Sequence, residues 1–72
     1  MNAKQSRMAR SGLGWRASDL AAAAGVGTAT VARFELGETV APESIDKMRA
    51  ALADAGAYFS HKAGRVGVTV PE

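Results

Sequence analysis

Seventy-two residues with no cysteine, one histidine and a net charge of +2 make one domain at most. They exclude disulfides, zinc-thiolate sites and a histidine-built metal centre, so helix packing or a partner chain must supply the stability. A chain of this size buries only about 60% of the surface its unfolded form exposes. The basic residues Lys4, Arg7 and Arg10 are not followed by an apolar run. Neither a signal peptide nor a membrane span is expected, which points to a soluble, cytoplasmic protein. Residues 1–33 carry five basic side chains against one acid, and residues 34–72 carry four against six. A polyanion would therefore meet the N-terminal half first.

Residues 3–11 read as a first helix with Met8 on its inner side, ended by Gly12 and Gly14. Leu13 and Trp15 are then the apolar residues of the connection, and Trp15 suits a staple onto the next helix. The second helix runs from about Ala17 to Ala24, with Leu20, Ala21 and Ala24 as its buried stripe. Gly25 fits a left-handed residue after its end, with Val26 returning to the core. Gly27 or Thr28 caps the third helix, Thr28 being the better side-chain acceptor. Val31 and Phe34 form its inner face; Ala29, Thr30 and Arg33 point elsewhere; Gly37 ends it.

After a loop over 38–41, Pro42 suits the first position of a fourth helix. Ile45, Met48, Leu52 and Ala55 form its apolar stripe, and Gly56 terminates it. The period then changes to two. Val66, Val68 and Val70 alternate as in a half-buried strand, and Gly64 can supply a positive φ in a turn. Residues 57–70 thus read as a β-hairpin closed by Pro71, which must pack on the helices (helix four being the nearest) or pair with another chain. The predicted architecture is one mainly α domain, four helices followed by a C-terminal hairpin.

The segment 17–37 has the helix–glycine turn–helix spacing that lets two helices cross closely. Arg10, Leu13-Gly14, Leu20-Ala21, Gly25-Val26, Val31, Phe34-Glu35 and Gly37 together resemble the Xre/Cro-type helix-turn-helix of phage repressors and small bacterial regulators. The resemblance covers about residues 7–56. It implies a transcriptional regulator, a repressor on double-stranded DNA, with the third helix in the major groove and Thr28, Ala29, Thr30 and Arg33 facing the DNA. Arg33 either donates two bonds to a guanine edge or binds a phosphate. Thr28 can hold a phosphate at the helix N-terminus, and Ala29 and the Thr30 methyl can touch thymine methyls. Members of the family usually carry glutamine where this chain has Ala17-Ser18. Arg16 or Ser18 is the candidate to replace that phosphate contact, and Lys4 and Arg7 are candidates to follow the backbone. The resemblance further implies that Arg10 meets Glu35 as a structural ion pair.

No glycine-rich phosphate loop, serine elbow or acidic pair is present, so no catalytic residue, cofactor, metal or small-molecule effector is expected. His61 reads as an exposed turn residue. One domain of this size presents little surface for specific DNA binding, so a homodimer on an inverted repeat is expected, its half-sites about 34 Å apart. Edge strands invite pairing, which makes Tyr58, Phe59, Val66, Val68 and Val70 the candidate dimer interface. The alternative is a helix-turn-helix-derived interaction module, an antiactivator that sequesters another regulator.

Overall fold

The computed structural model describes residues 1–72 and comprises α1 (Ala3–Leu13), α2 (Ala17–Ala24), α3 (Thr28–Glu35), α4 (Pro42–Asp54), β1 (Tyr58–Lys62) and β2 (Arg65–Thr69). It is mainly α, with one antiparallel hairpin at the C-terminal end. No helix is long and apolar enough to cross a membrane.

Local chemistry accounts for the helix boundaries. The Asn2 side chain accepts from the Gln5 amide at 2.9 Å and the Gln5 side chain accepts from the Asn2 amide at 3.0 Å, a reciprocal cap on α1. Asp19 accepts from the Arg16 amide at 2.8 Å at the start of α2. Pro42 occupies the first turn of α4, where its missing N–H costs nothing. At the other ends Gly14, Gly25, Gly37 and Gly56 all adopt positive φ. The amide just beyond each glycine reaches back to Arg10, Ala21, Arg33 and Leu52 respectively, the hydrogen bond of a Schellman ending.

The core is Ala9, Leu20, Ala21, Val31, Phe34, Met48, Leu52 and Ala57. α2 packs against both α3 and α4, while α1 packs against α3 and β2. Trp15 and Val26 are half-buried against this core, as the staple and the return after Gly25 require.

Several sequence expectations are corrected. α1 runs on to Leu13, so Gly12 lies inside it: Gly14 supplies the left-handed stop, and no second one is needed. Met8 is 41% exposed, and the inward side chains of α1 are Gln5, Ser6 and Ala9. Two polar residues occupy that face because each has a distant hydrogen-bonding partner, which Met8 would not. Gly27, not Thr28, caps α3: its carbonyl accepts from Thr30 and Val31 at 3.0 and 3.3 Å, and Thr28 is the first helical residue. Gly37 ends α3 as expected: the helix proper runs to Glu35, Leu36 is its cap and Gly37 takes the left-handed φ.

The hairpin lies on α1, not on helix four. Its strands pair continuously from Tyr58↔Thr69 to Lys62↔Arg65 around Ala63-Gly64, with φ of 52° and 74° at the two turn residues. Two consecutive left-handed residues match the twist of the strands. Gln5 ties the hairpin down: its Nε2 donates to the carbonyls of Ser60 (2.9 Å) and Gly67 (3.3 Å). Phe59, Val68 and Val70 pack against the core. These side chains are therefore half-buried against the chain's own core and not fully presented on the hairpin.

Beyond β2 the chain passes over two glycines. A Cβ at Gly12 would lie 2.6 Å from a Val70 methyl, and one at Gly56 would lie 2.4 Å from Pro71 Cγ. Gly56 also holds φ at +101°. Gly56→Ala therefore combines backbone strain with a clash, and should cost about 1–3 kcal/mol. Thermal unfolding should show a midpoint lowered by at least about 4 °C; an unchanged midpoint would contradict this contact.

Candidate nucleic-acid interface

α3 is held by one side and bare on the other. Val31, Phe34 and Glu35 are buried, whereas Thr28, Ala29, Ala32, Arg33 and Leu36 are exposed and Thr30 is half-buried. At 100° per residue, Ala29, Ala32, Arg33 and Leu36 fall on one stripe at i, i+3, i+4 and i+7. Thr28 and Thr30 flank it. The structure thus brings Ala29 and Arg33 to the centre of the outward face and moves Thr30 to its margin. Ala32 and Leu36 were missed by the reading of individual positions, although the spacing from Ala29 carries the signal. Leu36 is 78% exposed. The protein has no pocket, so this stripe is the open surface on which the site residues lie.

Glu35 anchors the opposite side of α3. Its Oε1 accepts from Arg10 Nη2 at 2.5 Å, and its Oε2 accepts from Arg10 Nε at 2.9 Å and from Ser6 Oγ at 2.6 Å. Arg10 Nη1 also donates to the Trp15 carbonyl at 3.1 Å, which fixes the guanidinium plane. The bidentate fork matches carboxylate geometry and is the strong form of such a pair. Ser6 had no reading from the sequence. Its hydroxyl is fully buried and takes the remaining capacity of Glu35 Oε2.

Burial alone would push the Glu35 carboxyl up. The hydrogen bonds from Arg10 and Ser6, with the charges of Arg10 and Arg7, outweigh it and hold the carboxyl below the ordinary value of 4.5. The hydrogen bond to Glu35 correspondingly raises Arg10 against its partial desolvation. The only acid within α3 is therefore buried and neutralised, and the outward stripe carries a single charge, that of Arg33.

The other candidates are more scattered. Arg7 donates to the Glu35 backbone carbonyl, so its guanidinium is drawn to the C-terminal end of α3, where a cation meets the negative end of the helix. Arg16 is exposed at the start of α2, its Nε 3.6 Å from Asp19 Oδ2. Ser18 is exposed on the first turn of α2, and Lys4 is exposed on α1 without a hydrogen bond or ion pair. Tyr58 is 71% exposed, and His61 is exposed within β1, opposite Val66, and not in the turn expected for it. No protein-family model matches the chain, and no curated protein matches it.

Because Glu35 sits lower in the folded than in the unfolded chain, its stabilisation is complete above the unfolded value and is lost as pH falls through the folded one. Glu35→Gln should lower unfolding stability at pH 7 by about 1.5–3 kcal/mol. Urea titrations at decreasing pH should show the gap between parent and variant closing below 4.5. A gap constant with pH would show that the charge of Glu35 contributes nothing.

Proposed function

We propose that the chain is a sequence-specific DNA-binding transcriptional regulator, a repressor of the Xre/Cro type that acts as a homodimer on an inverted-repeat operator. The observation that carries this reading is the outward face of α3. It is exposed, free of acid, carries two alanines that allow close approach, and is centred on one arginine able to grip a guanine edge. α2 is the helix that supports it; Arg16 and Ser18 at the start of α2 and Thr28 at the start of α3 are its phosphate-binding residues.

The dimer rests on β1. In a hairpin with a two-residue turn the hydrogen-bonded pairs alternate from Lys62↔Arg65, so the amides and carbonyls of Phe59 and His61 face away from β2. This edge has no proline and no bulge, and Lys62 is its only formal charge. A second copy running antiparallel, with Ser60 opposite Ser60, aligns Phe59 and His61 across the two strands. That register engages all the outward groups and sets Lys62 against Tyr58, an aromatic, instead of a second lysine.

A second reading, a protein-sequestering antiactivator, is favoured by the alanine at position 17 and by the apolar character of Ala29, Ala32 and Leu36. Titration of random duplex DNA across a salt series separates the two. A DNA binder should weaken along a log–log line whose slope is about −0.9 per phosphate neutralised. Absence of salt-sensitive binding at low ionic strength would reject the DNA reading in favour of the antiactivator.

On a selected site, Arg33→Ala should lose about 1–3 kcal/mol of discrimination if it reads a base. It should instead weaken specific and random DNA equally if it binds a phosphate. For the dimer, His61→Pro deletes one outward amide and leaves the hydrogen bonds within the hairpin in place. Sedimentation should show a monomer, and an unaltered dimer would remove β1 as the interface.

A further inference from the structure

We infer that α3 recognises its half-site chiefly through thymine C5-methyl groups, with Ala29, Ala32 and Leu36 as the methyl-contacting residues and Arg33 as the one polar reader. The inference rests on the DNA-binding reading above and specifies what that site selects. Base edges in the major groove offer donors, acceptors and one apolar group, the thymine methyl. A helix face that reads mainly donors and acceptors needs amide, hydroxyl or charged side chains along its centre. Here three of the four central positions cannot hydrogen-bond through their side chains at all. The two hydroxyls, Thr28 and Thr30, flank the stripe instead of occupying it.

Leu36 sharpens the point. It is a large aliphatic side chain left 78% exposed at the end of α3, on the same stripe as two exposed alanines. Its neighbour Glu35 is turned inward and neutralised by Arg10, so the stripe offers a polyanion no repulsion. Small alanines bring the helix backbone near the groove floor, and the longer leucine reaches out from the final turn. The preferred half-site is therefore a guanine, for Arg33, among thymines, rather than a run of guanine and cytosine.

The first arm of the test alters only the DNA. Duplexes are selected from a random library at low salt, and each thymine of the selected half-site is then replaced singly by deoxyuridine, which lacks only the methyl group. Binding should fall about fourfold at each contacted position, the value of one buried methyl-sized group. Leu36→Ser, at an exposed position that the fold does not use, should abolish the penalty at one thymine and leave the others. Selected duplexes that bind equally well with deoxyuridine throughout would overturn the inference while leaving DNA binding intact. Failure to select any duplex, together with no salt-sensitive binding, would overturn the DNA reading and this inference with it.

Discussion

The carboxylate of Glu35 is the point on which the rest of the structure hangs. It sits in the last turn of α3, faces inward, and is held by the forked guanidinium of Arg10 and the hydroxyl of Ser6, both from α1. A carboxylate buried without such partners would be expelled towards water, and α3 would have to roll. Rolling by even part of a turn would carry Ala29 and Arg33 off the surface and bring Glu35 onto it. The pair is thus less a source of net stability than a device that fixes the rotation of one helix, which is the better-supported role for buried ionic groups.

α1 does two tasks with adjacent residues. Ser6 fixes α3 through Glu35, while Gln5 fixes the hairpin through the carbonyls of Ser60 and Gly67. Both are buried polar side chains with satisfied partners, and no buried side-chain polar atom in the protein lacks one. The two surfaces named in the proposal, the α3 stripe and the β1 edge, are therefore referred to one rigid turn of helix. Their relative position is set by side-chain hydrogen bonds from α1, not by loops.

What could be read from the residues divides along physical lines. Pro42, Gly25 followed by Val26, and the positive φ at Gly64 were legible because each depends on its own backbone and immediate neighbours. The boundaries of α2 and the stripe of α4 followed from periodicity. Gln5 and Ser6 were not legible as core, since a polar side chain is buried only when a partner far along the chain is waiting for it. Met8 was misplaced for the same reason, by treating apolar character as sufficient. Gly12 was read as a stop although its role is to let Val70 approach, a contact that spans most of the chain. At the candidate site, Arg33 and Ala29 were placed correctly on the outward face. Of the two candidate caps, Gly27 and Thr28, it is Gly27 that serves, through its extended backbone and without a side chain. Arg10 meeting Glu35 came from the family resemblance alone, since nothing in the spacing of residues 10 and 35 reveals a contact.

The uniform helix endings also bear on how this chain tolerates changes of length. Each helix stops on a glycine-centred reversal, so none has slack at its end, and an extra residue inside one would turn everything beyond it by about 100°. The joins between α1 and α2, between α2 and α3, and between α4 and β1 run tightly from one hydrogen-bonded element to the next. The passage from Leu36 to Ala41 is longer, and its residues are mostly exposed. Among the joins that connect the helices and lead into β1, insertions and deletions therefore have one place to go, immediately after the stripe of α3. Variation there would extend or trim the surface beside α3 while leaving its rotation untouched.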